Sequence, residues 1–256
     1  MLSLVLHGLN TGVVTTKYPF QPEDMPEGYV GGIDLLSERL PGNKAKDCEE
    51  ICPTSAIEAL PDGGVRLDRG RCIMCGFCAD KVPEMFGKSR SHETAVTMRD
   101  SLVVVSGENP VKAPSVVQNT ARLYRRSLHI RHLDAGDDNA TVSEVKLLSS
   151  PAYDLHRLGM FFTTSPRHAD ALLVTGCVTN AMKPILLETF NAMPSPRLVI
   201  AAGVEAISGA PFDKSYAVAG GVDQVLPVDI YIPGSPPSPL ALLYGLMLAT
   251  GRSAWK

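Results

Sequence analysis

The stretch Cys72-Ile73-Met74-Cys75-Gly76-Phe77-Cys78 sets three thiols at successive two-residue gaps. A loop of that spacing can wrap three corners of an iron–sulfur cubane. A fourth thiolate has to come from elsewhere, and Cys52 in Cys48-Glu49-Glu50-Ile51-Cys52-Pro53 is the candidate. Five of the six cysteines crowd into residues 48–78, and the sixth, Cys177, stands alone. In a reducing compartment such crowding is a metal pattern, not a disulfide framework.

A spacing test joins the two segments. The tandem-cluster ferredoxin pattern is C-x2-C-x2-C-x3-C-P, written twice, and the cysteine before each proline ligates the other cluster. In the first copy the four positions fall on Gly42, Ala45, Cys48 and Cys52. In the second they fall on Cys72, Cys75, Cys78 and Val82, with Pro83 following. One site would use Gly42, Ala45, Cys48 and Val82 and keeps a single thiol. The other uses Cys52, Cys72, Cys75 and Cys78 and is complete, so one [4Fe–4S] cluster is expected. The alternative is structural zinc on the same four thiols, although zinc sites favour two paired C-x2-C hooks. Cys48 receives no role. Between the motifs, Ala56–Leu60 and Val65–Leu67 alternate in character around Pro61-Asp62-Gly63-Gly64, which predicts a hairpin.

At 256 residues the chain has room for two domains. A net charge of −3 without a basic run argues against nucleic acid or an anionic membrane surface as partner. The apolar N-terminus lacks a basic region and a clear cleavage site, so no signal peptide is read. The longest apolar run near the other end, Leu240 to Thr250, is about half of a bilayer span. Residues 1–40, broken by Pro19, Pro22, Pro26, Gly28, Gly31 and Gly32, read as a loop-rich arm. Residues 41–110 read as the metal module, with a strand over Ser101–Val105. Residues 111–127 form a linker with a short helix over Ser115–Ser127, and 128–256 an α/β domain.

In that last part, strands are expected at Leu128–Leu133, Ala171–Thr175 and Arg197–Ala202, with a weaker one at Val225–Val228. Met182, Ile185, Leu186, Thr189, Phe190 and Met193 recur at helical spacing with Pro184 in the first turn, and a last helix starts near Pro237 or Pro239. Alternating strands and helices imply a doubly wound parallel sheet whose ligands bind beyond the strands' carboxyl ends. Neither a Ser/His/Asp constellation, a P-loop nor a dinucleotide glycine fingerprint stands out. The expected fold is thus an α+β ferredoxin-like module followed by a flavodoxin-like α/β domain.

Several stretches resemble one family: His129 to Gly136, Ser165-Pro166-Arg167-His168-Ala169-Asp170, Val228-Asp229-Ile230-Tyr231-Ile232-Pro233-Gly234 and Ala241-Leu242-Leu243-Tyr244-Gly245. That family is the small, proximal-cluster subunit of energy-converting [NiFe] hydrogenases of the formate hydrogenlyase type, with the homologous 20 kDa subunit of complex I. The resemblance covers residues 120–256. Residues 1–110, including Thr11-Gly12-Val13-Val14-Thr15-Thr16-Lys17-Tyr18-Pro19, resemble the tandem-cluster ferredoxin subunit of the same assemblies. The chain therefore looks like a fusion of two adjacent electron-transfer subunits.

The resemblance implies a membrane-associated oxidoreductase complex in which this chain transfers electrons without being catalytic itself. It implies a large hydrogenase-like or complex I 49 kDa-like partner and membrane-arm subunits, with the chain cytoplasmic and peripheral on the inner face of the membrane. The family's proximal cluster takes four thiols, whose positions here are Asp138, Thr141, Glu205 and Ser235. Thiolate softness selects iron–sulfur clusters, so that site should be vacant. Three alternatives stand for Asp138 and Glu205: converging on Mg²⁺ or Ca²⁺, filling the space with water and hydrogen bonds, or pairing with Arg167. Cys177 reads as a small buried core residue, and His129, His132, His168 and Arg167 as packing or interface residues. Losing the last station of an electron chain should slow delivery to a large subunit. A scaffold whose one cluster staples the fold is the competing reading.

Overall fold

The computed structural model describes residues 2–36, 44–108, 121–136 and 139–252. Its first part contains α1 (Leu2–Thr11), β1 (Gly32–Leu35), α2 (Lys44–Ile51), β2 (Ile57–Ala59), β3 (Val65–Asp68), α3 (Phe77–Lys81), β4 (Phe86–Ser89) and β5 (Val103–Val105). The predicted hairpin is present: β2 and β3 pair antiparallel with Ile57 opposite Leu67, and Gly63 takes a positive φ of 84° in the turn. β5 extends this sheet on the far side of β3, while β1 and β4 form a separate antiparallel pair. Ile33, Ile57, Val65, Leu67, Met85 and Phe86 close one apolar core between them.

The second part contains α4 (Ala121–Tyr124), β6 (Leu128–Asp134), α5 (Ala140–Leu147), β7 (Met160–Phe162), β8 (Ala171–Thr175), α6 (Lys183–Ala192), β9 (Leu198–Ala202), α7 (Val204–Ser208), β10 (Ile230–Ile232) and α8 (Pro239–Ala249). Five of its strands form one sheet in the order β10-β9-β8-β6-β7, all pairings parallel. Counted along the chain from the β7 edge, the order is 2-1-3-4-5, the flavodoxin-like arrangement. The continuous apolar runs become strands buried on both faces. Leu173 and Ile200 point to a core shared with Leu242, Leu243 and Leu246 of α8. Leu172, Val174 and Val199 point the other way, to Leu186 and Ile207. Leu173 has no solvent exposure, so Leu173→Ala is expected to cost about 2–5 kcal/mol of stability, measured by denaturant unfolding.

The structure departs from the sequence reading in three places. Residues 2–11 are helical: the helix carries Gly8 in its interior and ends before Gly12, whose φ is +66°. No strand forms at 225–228. The edge strand lies at Ile230–Ile232, preceded by Asp229, whose carboxylate accepts the Val199 N–H at 2.8 Å. Ser101 and Leu102 close a 3₁₀ turn, and only Val103–Val105 is extended. Of the linker helix, only Ala121–Tyr124 is seen, since residues 109–120 lie outside the described residues.

The two parts touch at several points. Val96 and Tyr231 exchange backbone hydrogen bonds of 2.9 and 2.8 Å, and Tyr29 Oη lies 3.0 Å from Ser238 Oγ. Arg99 clamps Asp68 through two bonds of 2.8 and 2.6 Å, tying the turn before β5 to β3.

Inside the sheet, His132 Nε2 is 3.0 Å from Thr175 Oγ1, and burial holds the imidazole below its ordinary range. The unfolded chain binds a proton here more readily than the folded one. Stability is therefore complete above about pH 6.5, the unfolded value, and falls as pH drops through it. His132→Gln is expected to flatten the loss of stability between about pH 7 and pH 5, read from denaturant titrations at each pH. An unchanged slope would count against this assignment.

Candidate metal centre

The elements of the small module bring four thiols around one cavity. Cys52 follows the end of α2, and the chain turns back at once through Ser55, whose φ is +50° and whose N–H donates to Cys52 O at 3.2 Å. Cys72 follows the turn that leaves β3, where Arg71 N–H donates to Asp68 O at 3.0 Å. Met74 and Gly76 take left-handed conformations, φ +57° and +79°, and curl the loop so that Cys78 lands in the first turn of α3. Glycine suits this left-handed φ, and a Cβ would also meet Lys88 Cε at 2.7 Å, so the lysine side chain would have to shift. Cys52, Cys72, Cys75 and Cys78 all line the resulting cavity, with Ile33, Ile51, Ile57, Leu67 and Phe77 as apolar walls. No charged side chain is among its described lining residues.

The local chemistry suits a thiolate-bound group. Burial pushes the Cys72 thiol up to about 12 and Cys78 to about 11, and the neighbouring thiols add to both shifts. Amide donors act in the opposite sense. The Met74 N–H bonds to Cys72, and the Ala79 N–H to Cys78. Ala56 N–H donates to Cys52 Sγ at 3.2 Å. Such N–H···S bonds stabilise negative sulfur and tune a cluster held by it. Cys75 is exposed and Phe77 is 57% exposed, so this corner is the one open to solvent. Among the described residues, no group of three or more His, Cys, Asp or Glu is arranged to hold a single metal ion.

The other sites expected from the sequence look different. Ala45, Cys48 and Val82 are buried, and Cys48 and Val82 sit in the apolar core beside Met85 and Phe86. Gly42 lies outside the described residues, as does Asp138. Thr141, Glu205 and Ser235 each follow the carboxyl end of a parallel strand, β6, β9 and β10 respectively. Thr141 is buried near the start of α5, Glu205 is half-buried in the first turn of α7, and Ser235 is exposed after β10. Gly203 lies among them: a Cβ there would stand 3.2 Å from Thr141 Oγ1 and 3.7 Å from Gly234 O. Val204 N–H donates to Gly234 O at 2.9 Å and fixes the two loops together. Cys177 is buried, with its thiol donating to Gly136 O at 3.4 Å. His129 is fixed by Asp170, with Nδ1 3.3 Å from Oδ2, and stacks on Phe161.

Sequence reasoning missed one polar link at the centre. Arg71, immediately before Cys72, donates both to Thr54 O and to Asp213 of the second part. Its position beside a ligand was visible, but its partner 142 residues away was not.

Two family models match the chain. Residues 65–121 match the 4Fe-4S single cluster domain, and residues 140–249 match NADH ubiquinone oxidoreductase, 20 Kd subunit. The first match contains Cys72, Cys75 and Cys78 but stops short of Cys52. Among solved structures, the chain is similar to one from the membrane-bound sulfane sulfur reductase, an archaeal respiratory membrane complex. There it shows 30% identity over 52% of this chain and 76% of that one, with a TM-score of 0.45. A chain of the NAD⁺-reducing [NiFe]-hydrogenase in the H₂-reduced state is similar at 17% identity, over 50% of this chain and 93% of that one, with a TM-score of 0.39.

Proposed function

We propose that this chain, in which a 4Fe-4S single cluster domain precedes a segment of the NADH ubiquinone oxidoreductase 20 Kd subunit family, is an iron–sulfur subunit of a multi-subunit oxidoreductase of the complex I or energy-converting hydrogenase kind. The observation that carries this reading is the cavity on which Cys52, Cys72, Cys75 and Cys78 converge. Four thiols with apolar walls and N–H···S donors fit a [4Fe–4S] cluster, which when bound supplies one-electron exchange. Cys72 and Cys78 anchor it inside the core, Cys52 closes it from the α2 side, and Cys75 holds the solvent corner.

On this reading the first part is a ferredoxin-like module with one of its two ancestral sites filled by side chains. The second part is the small-subunit domain, whose proximal-cluster position holds Asp138, Thr141, Glu205 and Ser235 in place of thiols. The domain serves as the docking element for a large hydrogenase-like or 49 kDa-like subunit. No helix among the described residues is long and apolar enough to cross a membrane, so attachment to membrane-arm subunits would be peripheral. Anaerobic iron and sulfide analysis is the test. About four of each per chain are expected, and zinc without sulfide would refute the assignment.

A staple function is favoured by one observation: the ligands are built into the core of the small module, with Cys72 and Cys78 packed among Ile57, Leu67 and Phe86. Metal sites so placed contribute folding energy directly. EPR-monitored redox titration separates the two readings, because an electron carrier gives a reducible centre and a pure staple does not.

A further inference from the structure

We propose, on the four-thiol reading above, that Arg71 positions the cluster loop against the α/β part and raises the cluster's reduction potential, with Asp213 as its counter-charge. Arg71 Nε donates to Thr54 O at 3.3 Å, two residues beyond Cys52. Its Nη1 and Nη2 each donate to Asp213 Oδ2 at 3.0 Å. Both side chains are largely buried, 24% and 22% exposed. One guanidinium therefore joins the Cys72 loop, the Cys52 loop and the α/β part.

The far end of this link is not an arbitrary surface point. Asp213 stands in the loop that leaves α7, the short helix carrying Glu205. Gly209 ends α7 at φ +78°, and a Cβ on it would lie 3.3 Å from Asp213 Cβ. Phe212 N–H donates back to Gly209 O at 2.8 Å, which fixes the loop. The link thus ties the cysteine cavity's loops to the turn that ends α7.

Any donor of the right length could hold Thr54 and Asp213 together, but only a cation also acts on the potential. A group that gains negative charge on reduction is favoured in its reduced form by a nearby positive charge, and a half-buried setting weakens that effect less than water would. The Asp213 carboxylate offsets part of it. A lysine would keep the sign of the charge but lose the planar fork that reaches two acceptors in different directions.

The test is EPR-monitored redox titration of the intact, cluster-bearing chain. Asp213→Asn keeps the shape and removes the counter-charge, so the midpoint potential is expected to move upward. Arg71→Gln leaves the carboxylate alone, so the midpoint is expected to move downward. The double variant is expected to return most of the way to the parent value. Shifts of the same sign, or an unshifted midpoint in Asp213→Asn, would overturn the proposal. If Arg71→Gln fails to assemble the centre, Asp213→Asn alone decides. Loss of the centre in Asp213→Asn as well would leave the pair a structural strut and reject the tuning role. Absence of any centre in the parent chain is a different result, because it removes the four-thiol reading itself.

Discussion

Cys52→Ser is expected to abolish the iron–sulfur centre as completely as Cys75→Ser, although Cys52 lies outside the segment that matches the single cluster domain. In either variant, iron and sulfide should fall from about four per chain to near zero. The reason is geometric. The turn at Ser55 returns the chain so that Cys52 faces the same apolar cavity as the Cys72–Cys78 loop, and its sulfur already accepts the Ala56 N–H there. A hydroxyl at that corner is a harder and weaker donor than a thiolate. Cys48→Ser and Cys177→Ser are the controls. Cys48 is wholly buried in the apolar core of the first part, and Cys177 is buried in the parallel-sheet part. Both variants should keep the full iron content. Loss of the centre in Cys48→Ser with retention in Cys52→Ser would reverse the assignment of the fourth ligand.

If Asp138, Thr141, Glu205 and Ser235 mark a former proximal-cluster site, as proposed, placing cysteine at all four is expected to raise iron from about four to about eight per chain after anaerobic reconstitution. Two glycines shape the loops next to these positions, Gly203 at φ +92° before Glu205 and Gly234 at φ +146° before Ser235. A Cβ on Gly234 would run into the Pro237 backbone, so the loop bearing Ser235 has little freedom to drift away. Ser235→Cys exchanges a hydroxyl for a thiol, and Thr141→Cys does the same while removing one buried methyl. They change the donor type more than the packing. Restoring three of the four positions should give a lower and less stable second iron content. A folded quadruple variant that still binds only about four irons would count against reading these four positions as a cluster site.

The parts of the fold that could be read from the sequence were those in which burial is two-sided and periodicity is long. Ala171–Thr175 and Leu198–Ala202 are uninterrupted apolar runs, and Lys183–Ala192 repeats its apolar residues over a full helix with Pro184 at its start. β7 and β10, of three residues each, give no period to recognise, and Asp229 beside β10 is a carboxylate tied to a neighbouring strand. The cysteine set was legible because Cys72, Cys75 and Cys78 repeat at two-residue gaps and Cys52 precedes a proline at the spacing of the same motif. The Arg71–Asp213 pair was not, because nothing local distinguishes an arginine aimed at a distant carboxylate from one aimed at water.

The backbone pair between Val96 and Tyr231 bears on what becomes of a chain that never receives its cluster. β10 is a terminal strand of the parallel sheet, and this short antiparallel bridge from the end of the small module covers part of its outer side. If the small module fails to fold, that cover leaves with it. The outward-facing N–H and C=O groups of β10 then become a template for a strand from another molecule. Cluster insertion would therefore act as a quality checkpoint on the α/β part as well. Apo-chains should be lost to aggregation or proteolysis before they can occupy a docking position and block it.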